Sequence, residues 1–141
     1  MSEFDPKKSN AFPMVYYVAN AVSASTDIEM SVAGEATAAD VPQQPIPWAG
    51  SIVGFSLQCE AVVTAGTATL VPTINGVTAG SSLVLDAVTN TQYTAANYRR
   101  GVYAFTQNQR IGAQFTTTGS FTAGDTRSLV AAVWLHVEET S

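Results

Sequence analysis

A chain of 141 residues, 46% hydrophobic, is long enough to bury one core without help from a disulfide or a metal. Its net charge of −5 and six Lys and Arg exclude a phosphate-tracking surface, so nucleic acid is not an expected partner. The single cysteine, Cys59, excludes an intrachain disulfide, and no apolar run of about 18 residues is present to span a membrane.

Charged residues make up 12% of the chain, against roughly 25% in an ordinary soluble domain. A surface so poor in charge suits a protein packed against copies of itself or against a partner. Met1 to Asn10 is polar and holds both lysines, Lys7 and Lys8, so no signal peptide is expected. That segment reads as one draped over something else. Met14 to Val22 is β-prone and apolar on both faces. Asp27 to Ala33 alternates, with Ile28, Met30 and Val32 on one side, as a half-buried strand does. Gly34 to Pro47 contains Pro42, Pro45 and Pro47 and reads as an extended connector. Residues 1–47 are therefore expected to be an N-terminal arm and connector with one or two strands, and residues 48–141 a β-sandwich body.

Ser51 to Thr64 carries the strongest strand pattern, with Val53, Phe55, Leu57, Cys59, Ala61 and Val63 on one face. Ala68 to Ile74 follows, and Asn75-Gly76 predicts a tight hairpin turn because both residues tolerate positive φ. Ser82 to Ala87 places Leu83 and Leu85 together. Thr94 to Arg100 reads as a loop or a single turn. Val102 to Thr106 and Arg110 to Thr117 are further strands, the latter aligning Ile111, Ala113 and Phe115. Leu129 to Val137 closes the chain with Leu129, Ala131, Val133, Leu135 and Val137 on one side. Its other side, Val130, Ala132, Trp134 and His136, is also largely apolar. A strand with one wet face should not look like this, so Val130, Trp134 and His136 are expected at a subunit interface. Strands at such spacing predict an all-β sandwich, jelly roll or barrel.

The chemistry of catalysis is sparse. His136 is the only histidine and sits in mid-strand, and no Gly-x-Ser-x-Gly elbow is present. Cys59 lies on the apolar face of its strand and reads as a small hydrophobe. One Cys and one His do not make a zinc site, and no Asp-x-Asp-x-Asp-Gly loop for calcium exists, although a surface calcium site shared between subunits stays open. Glu60 and Asp86 read as solvated acids. No enzyme activity and no cofactor are expected. Tyr93, Tyr98, Arg99 and Arg100 form the densest polar-aromatic segment and the best candidate for an outer-surface contact. Trp48 is read as a plug at one end of the sandwich.

From Ile46 onward the chain resembles the small jelly-roll proteins of tailed bacteriophage virions. The likeness is carried by Ile46–Leu57 (IPWAGSIVGFSL), Leu70–Gly80 (LVPTINGVTAG), Arg110–Thr117 (RIGAQFTT) and Ser128–Glu138 (SLVAAVWLHVE). The resemblance implies a jelly-roll body with an N-terminal arm, a capsid decoration (cement) role and frequent trimers. It implies assembly in the host cytoplasm and residence on the virion capsid surface, with the major capsid protein and sister copies as partners. Phe4, Lys7, Lys8, Phe12, Val15, Tyr17, Ile28 and Met30 would then bind the capsid shell. The rival reading is a tail-fibre or baseplate module that recognises a host glycan through Tyr93, Tyr98, Arg99 or Trp48.

Overall fold

Short alternating runs broken by Gly, Thr, Asn and Asp form strands because each run buries one side only by pairing and stacking with others. The computed structural model describes residues 11–18, 28–30, 44–59, 61–86, 93–118, 121–122 and 129–138. Among these residues there is no helix. The strands are β1 (Ala11–Val18), β2 (Ile28–Glu29), β3 (Gln44–Pro45), β4 (Gly50–Cys59), β5 (Thr67–Ile74), β6 (Val77–Thr78), β7 (Leu83–Asp86), β8 (Tyr93–Asn97), β9 (Tyr103–Phe105), β10 (Arg110–Thr117) and β11 (Leu129–Val137).

They make two antiparallel sheets. The first runs β1-β11-β4-β8, with β9 also on β4; the second runs β2-β10-β5-β6, with β3 on β10 and β7 on β5. Their inner sides share one core. Ile52, Phe55, Leu57, Leu129, Ala131, Val133 and Leu135 come from the first sheet, and Leu70, Leu85, Ile111, Ala113 and Phe115 from the second. The protein is thus an all-β sandwich. The Asn75-Gly76 turn forms as its residues demand, with φ of 53° and 81°. Asn75 also ties the hairpin to β10: its backbone N–H donates to the Arg110 carbonyl at 2.7 Å, and its Oδ1 accepts from the Arg110 N–H at 2.8 Å.

Thr94 to Arg100, read as a loop or a single turn, instead begins in a strand, because Thr94 to Asn97 of β8 pair with β4. Two further expectations change. The first concerns the arm. β1 pairs with β11 along its whole length, from Ala11↔His136 to Val18↔Leu129. Tyr16 is fully buried and its hydroxyl donates across the core to the Ile111 carbonyl of β10. Met30 is fully buried and its N–H donates to the Ala113 carbonyl at 2.8 Å, while β3 and Ile46 lie along β10. Within the expected arm and connector, residues 11–18, 28–29 and 44–45 thus pair into the two sheets, and Met30 and Ile46 pack into the shared core. The cause is simple: the inward side of β1 carries Phe12, Met14 and Tyr16, which burial against the molecule's own core stabilises.

The second change is a bulge. Opposite β11, Gly54 pairs with Trp134 and Ile52 with Leu135, leaving Val53 as the extra residue. The bulge flips the alternation, so Ile52 and Phe55 both point inward and Val53 is only half-buried. The strand ends at Cys59 rather than running to Thr64.

Candidate functional site

Because side chains alternate along a strand, the strand register lays out the outer side of the first sheet in rows. One row reads Tyr17, Val130, Gln58, Tyr93; the next Val15, Ala132, Ser56, Ala95; the third Pro13, Trp134, Gly54, Asn97. No charged side chain stands in these rows. Tyr93 is 74% exposed, Val15 51%, Trp134 38% and Tyr17 37%. The small residues Ser56, Ala95 and Ala132 sit between the larger ones. They leave a groove of about 590 Å³ whose walls include Val15, Gln58, Val130 and Tyr93.

Gly54 matters for the shape of this face. A Cβ at that position would lie 3.3 Å from Trp134 Cβ, a tight approach, and 3.6 Å from its Cδ1, an ordinary contact, so the glycine leaves room for the Trp134 side chain against β4. Trp134 Nε1 donates to Ser56 Oγ at 3.2 Å, which fixes the ring across β4.

In the fourth row, Ala11, His136 and Ser51, the turn between β8 and β9 closes over His136 and Ser51. The Gly101 N–H donates to Ser51 Oγ at 3.1 Å, and Arg100 Nη1 lies 3.2 Å from His136 Nε2. A guanidinium only donates, so Nε2 must accept and the ring proton sits on Nδ1, which is buried with no hydrogen-bond partner. In this arrangement the imidazole has no lone pair left for proton abstraction. Cys59 faces the core, and burial pushes its thiol up to about 12, far from a reactive thiolate. Among the described residues no three His, Cys, Asp or Glu side chains converge on a metal-sized space.

The face gathers some of the expected residues and not others. Val130 and Trp134 stand on it, as do Val15 and Tyr17. His136, expected at a subunit interface, is only 8% exposed because Arg100 and the β8–β9 turn cover it within the same chain. Phe12 and Met30, expected to hold a shell, pack against or within the protein's own core. Ile28 falls in β2, and Phe4, Lys7 and Lys8 lie outside the described residues.

Tyr93 and Tyr98 do not form one contact surface, because an odd separation on an extended chain sends two side chains to opposite sides. Tyr93 points outward. Tyr98 packs partly against the core, edge-on to Tyr103 with centroids 5.1 Å apart, and its hydroxyl donates to the Ser81 carbonyl at 2.8 Å. Arg99 and Arg100 are exposed in the turn beyond. Trp48 is no sealed plug: it stays 49% exposed beside Pro47 and Gln107. The groove residues Ser56, Gln58 and Ala95 were missed. Their polar or small character reads as ordinary solvent-facing surface until the register sets Val15, Val130 and Tyr93 beside them.

No family model and no curated protein matches this chain.

Proposed function

We propose that this chain is a structural protein of a virion: a capsid decoration (cement) protein that binds the major capsid protein shell as a homo-oligomer and performs no reaction. One observation carries the reading. The sandwich is two-sided, with an uncharged apolar outer face on one sheet and a threonine-rich outer face on the other. A slab of this kind fits a position with one side against protein and the other toward water.

Two further features support it. The order of strands within the two sheets, β1-β11-β4-β8/β9 and β2/β3-β10-β5-β6/β7, is compatible with a jelly roll, an architecture used by viral capsid domains. The side chains best able to do chemistry are also occupied, His136 by Arg100 and Cys59 by the core.

Purified protein mixed with empty shells of the major capsid protein should co-sediment with them and raise their melting temperature. Protein left in the supernatant at saturating shell concentration would count against the role. A glycan-binding module of a tail fibre or baseplate is the second reading. It draws on the exposed Tyr93 ring beside the Gln58 amide, a platform for a sugar ring, but Tyr98 and Trp48 do not join that platform. Retention on a glycan array, lost in Tyr93→Ala, would favour it.

A further inference from the structure

We infer that the cover of the apolar face is another copy of this chain, seated with its Tyr93 ring in the groove between Val15, Ala132 and Gln58. The inference rests on the reading above that the chain works by contact rather than by catalysis.

Size argues first. A large aromatic side chain offers roughly 200 Å² of surface, so at their exposures Tyr17, Tyr93 and Trp134 leave on the order of 300 Å² open. With Val15 they reach the size of the largest apolar patch on a typical monomer, a few hundred Å². The exposed Ala11, Pro13, Gln58, Ala95 and Asn97 extend the face toward the ~800 Å² that one partner brings to a standard interface.

Charge argues second. Each copy carries −5, and the first three rows of this face hold no charged side chain, so two copies that meet there bring no like charges together. Two such faces meeting bury no unpaired ion. Of the ring donors on this face, Trp134 Nε1 is already satisfied by Ser56 within its own chain. Covering the indole therefore orphans no polar atom.

Shape argues third. The face carries both halves of a fit: a groove of about 590 Å³ and, on its wall, a ring that stands 74% clear of the surface. A symmetric assembly needs this pairing on one chain, since each copy must give to the next what it receives. An unrelated partner would have to supply a matching ring of its own.

The test uses the full chain. Native mass spectrometry and light scattering should show a closed oligomer, a dimer or a trimer. Tyr93→Ala and Ala132→Glu should each weaken assembly by about tenfold or more, while Val84→Glu on the other sheet leaves it unchanged. Tyr93 lies on an edge strand and is mostly exposed, so its variant keeps the fold even where Ala132→Glu does not; circular dichroism checks this. A monomer at the highest soluble concentration overturns the inference, as does an oligomer indifferent to both variants. A chain that is monomeric alone yet coats shells sinks the self-contact and spares the structural role. An oligomer with no affinity for shells does the reverse.

Discussion

The two outer faces of the sandwich obey the same alternation and carry opposite chemistry. Outside the first sheet stand Pro13, Val15, Tyr17, Val130, Ala132, Trp134 and Tyr93. Outside the second stand Thr67, Thr69, Thr116, Gln114 and Asp86, with Val71 and Val84 among them. Threonine is β-branched, so it favours a strand as valine does, yet it leaves a hydroxyl for water. The second face is thus built to be wet and still extended. The first is built from residues of similar strand preference that gain nothing from water. Periodicity alone tells which side of a strand is inside; the chemistry of the outward side tells whether solvent is its final neighbour.

That contrast can be broken or sharpened by substitution, starting where the effect is largest. The faces differ but share one core, so Phe55→Ala, on the inward side of β4, should cost about 3–5 kcal/mol in chemical denaturation. A cost near zero would mean that the two sheets do not pack as one body. On the same inward side, Cys59 sets a pH dependence. Its folded thiol is raised from 9.0 to about 12, so the unfolded chain loses the proton first as pH rises. Stability from this group is complete below about pH 9 and declines between 9 and 12, by at most about 1.4 kcal/mol per pH unit. Cys59→Ala should flatten that part of the profile, and a profile unchanged by it would refute the assignment.

Tyr16→Phe removes the hydroxyl that joins β1 to β10 and should cost about 1–2 kcal/mol. No loss would place β1 outside the cooperative unit, as a detached arm. Thr73 is the exception on the wet face, since its Oγ1 is buried with no hydrogen-bond partner. Thr73→Val should therefore stabilise, by about 1 kcal/mol, whereas Thr69→Val on the same strand should not; the two melting temperatures decide it. The smallest effect is expected from Val15→Thr, which makes the first face more like the second. It should shift monomer stability by no more than about 0.5 kcal/mol. Association, read by light scattering, is where it should register.

Much of the fold is legible before any coordinates. Ile111, Ala113 and Phe115 of β10, and Leu129 through Leu135 at odd positions of β11, are buried as their alternation demands. The hairpin at Asn75-Gly76 is where its residues require it. Other elements are not legible. Nothing in Tyr93 to Asn97 distinguishes a strand from a loop until Gln58 and its neighbours pair with it, because small residues such as Ala95 and Ala96 have weak preferences of their own. The bulge at Val53 is invisible too, since an extra residue is defined only against the partner strand that lacks it. The candidate site is partly legible. Val130 and Trp134 reveal an apolar outward side, but their companions lie far away in the chain.

By itself, the order of residues determined the strand periods, the inward residues of β10 and β11, the turn chemistry and the scarcity of charge. These are local properties, set by side-chain alternation and by the φ that each residue tolerates. Only the tertiary structure decided that Ala11–Val18 is a core strand rather than an arm, that Arg100 covers His136, and that Val15, Trp134 and Tyr93 share one face. Each of these depends on which strands become neighbours. That choice is made by the sum of buried area over the whole core, and no single segment carries it.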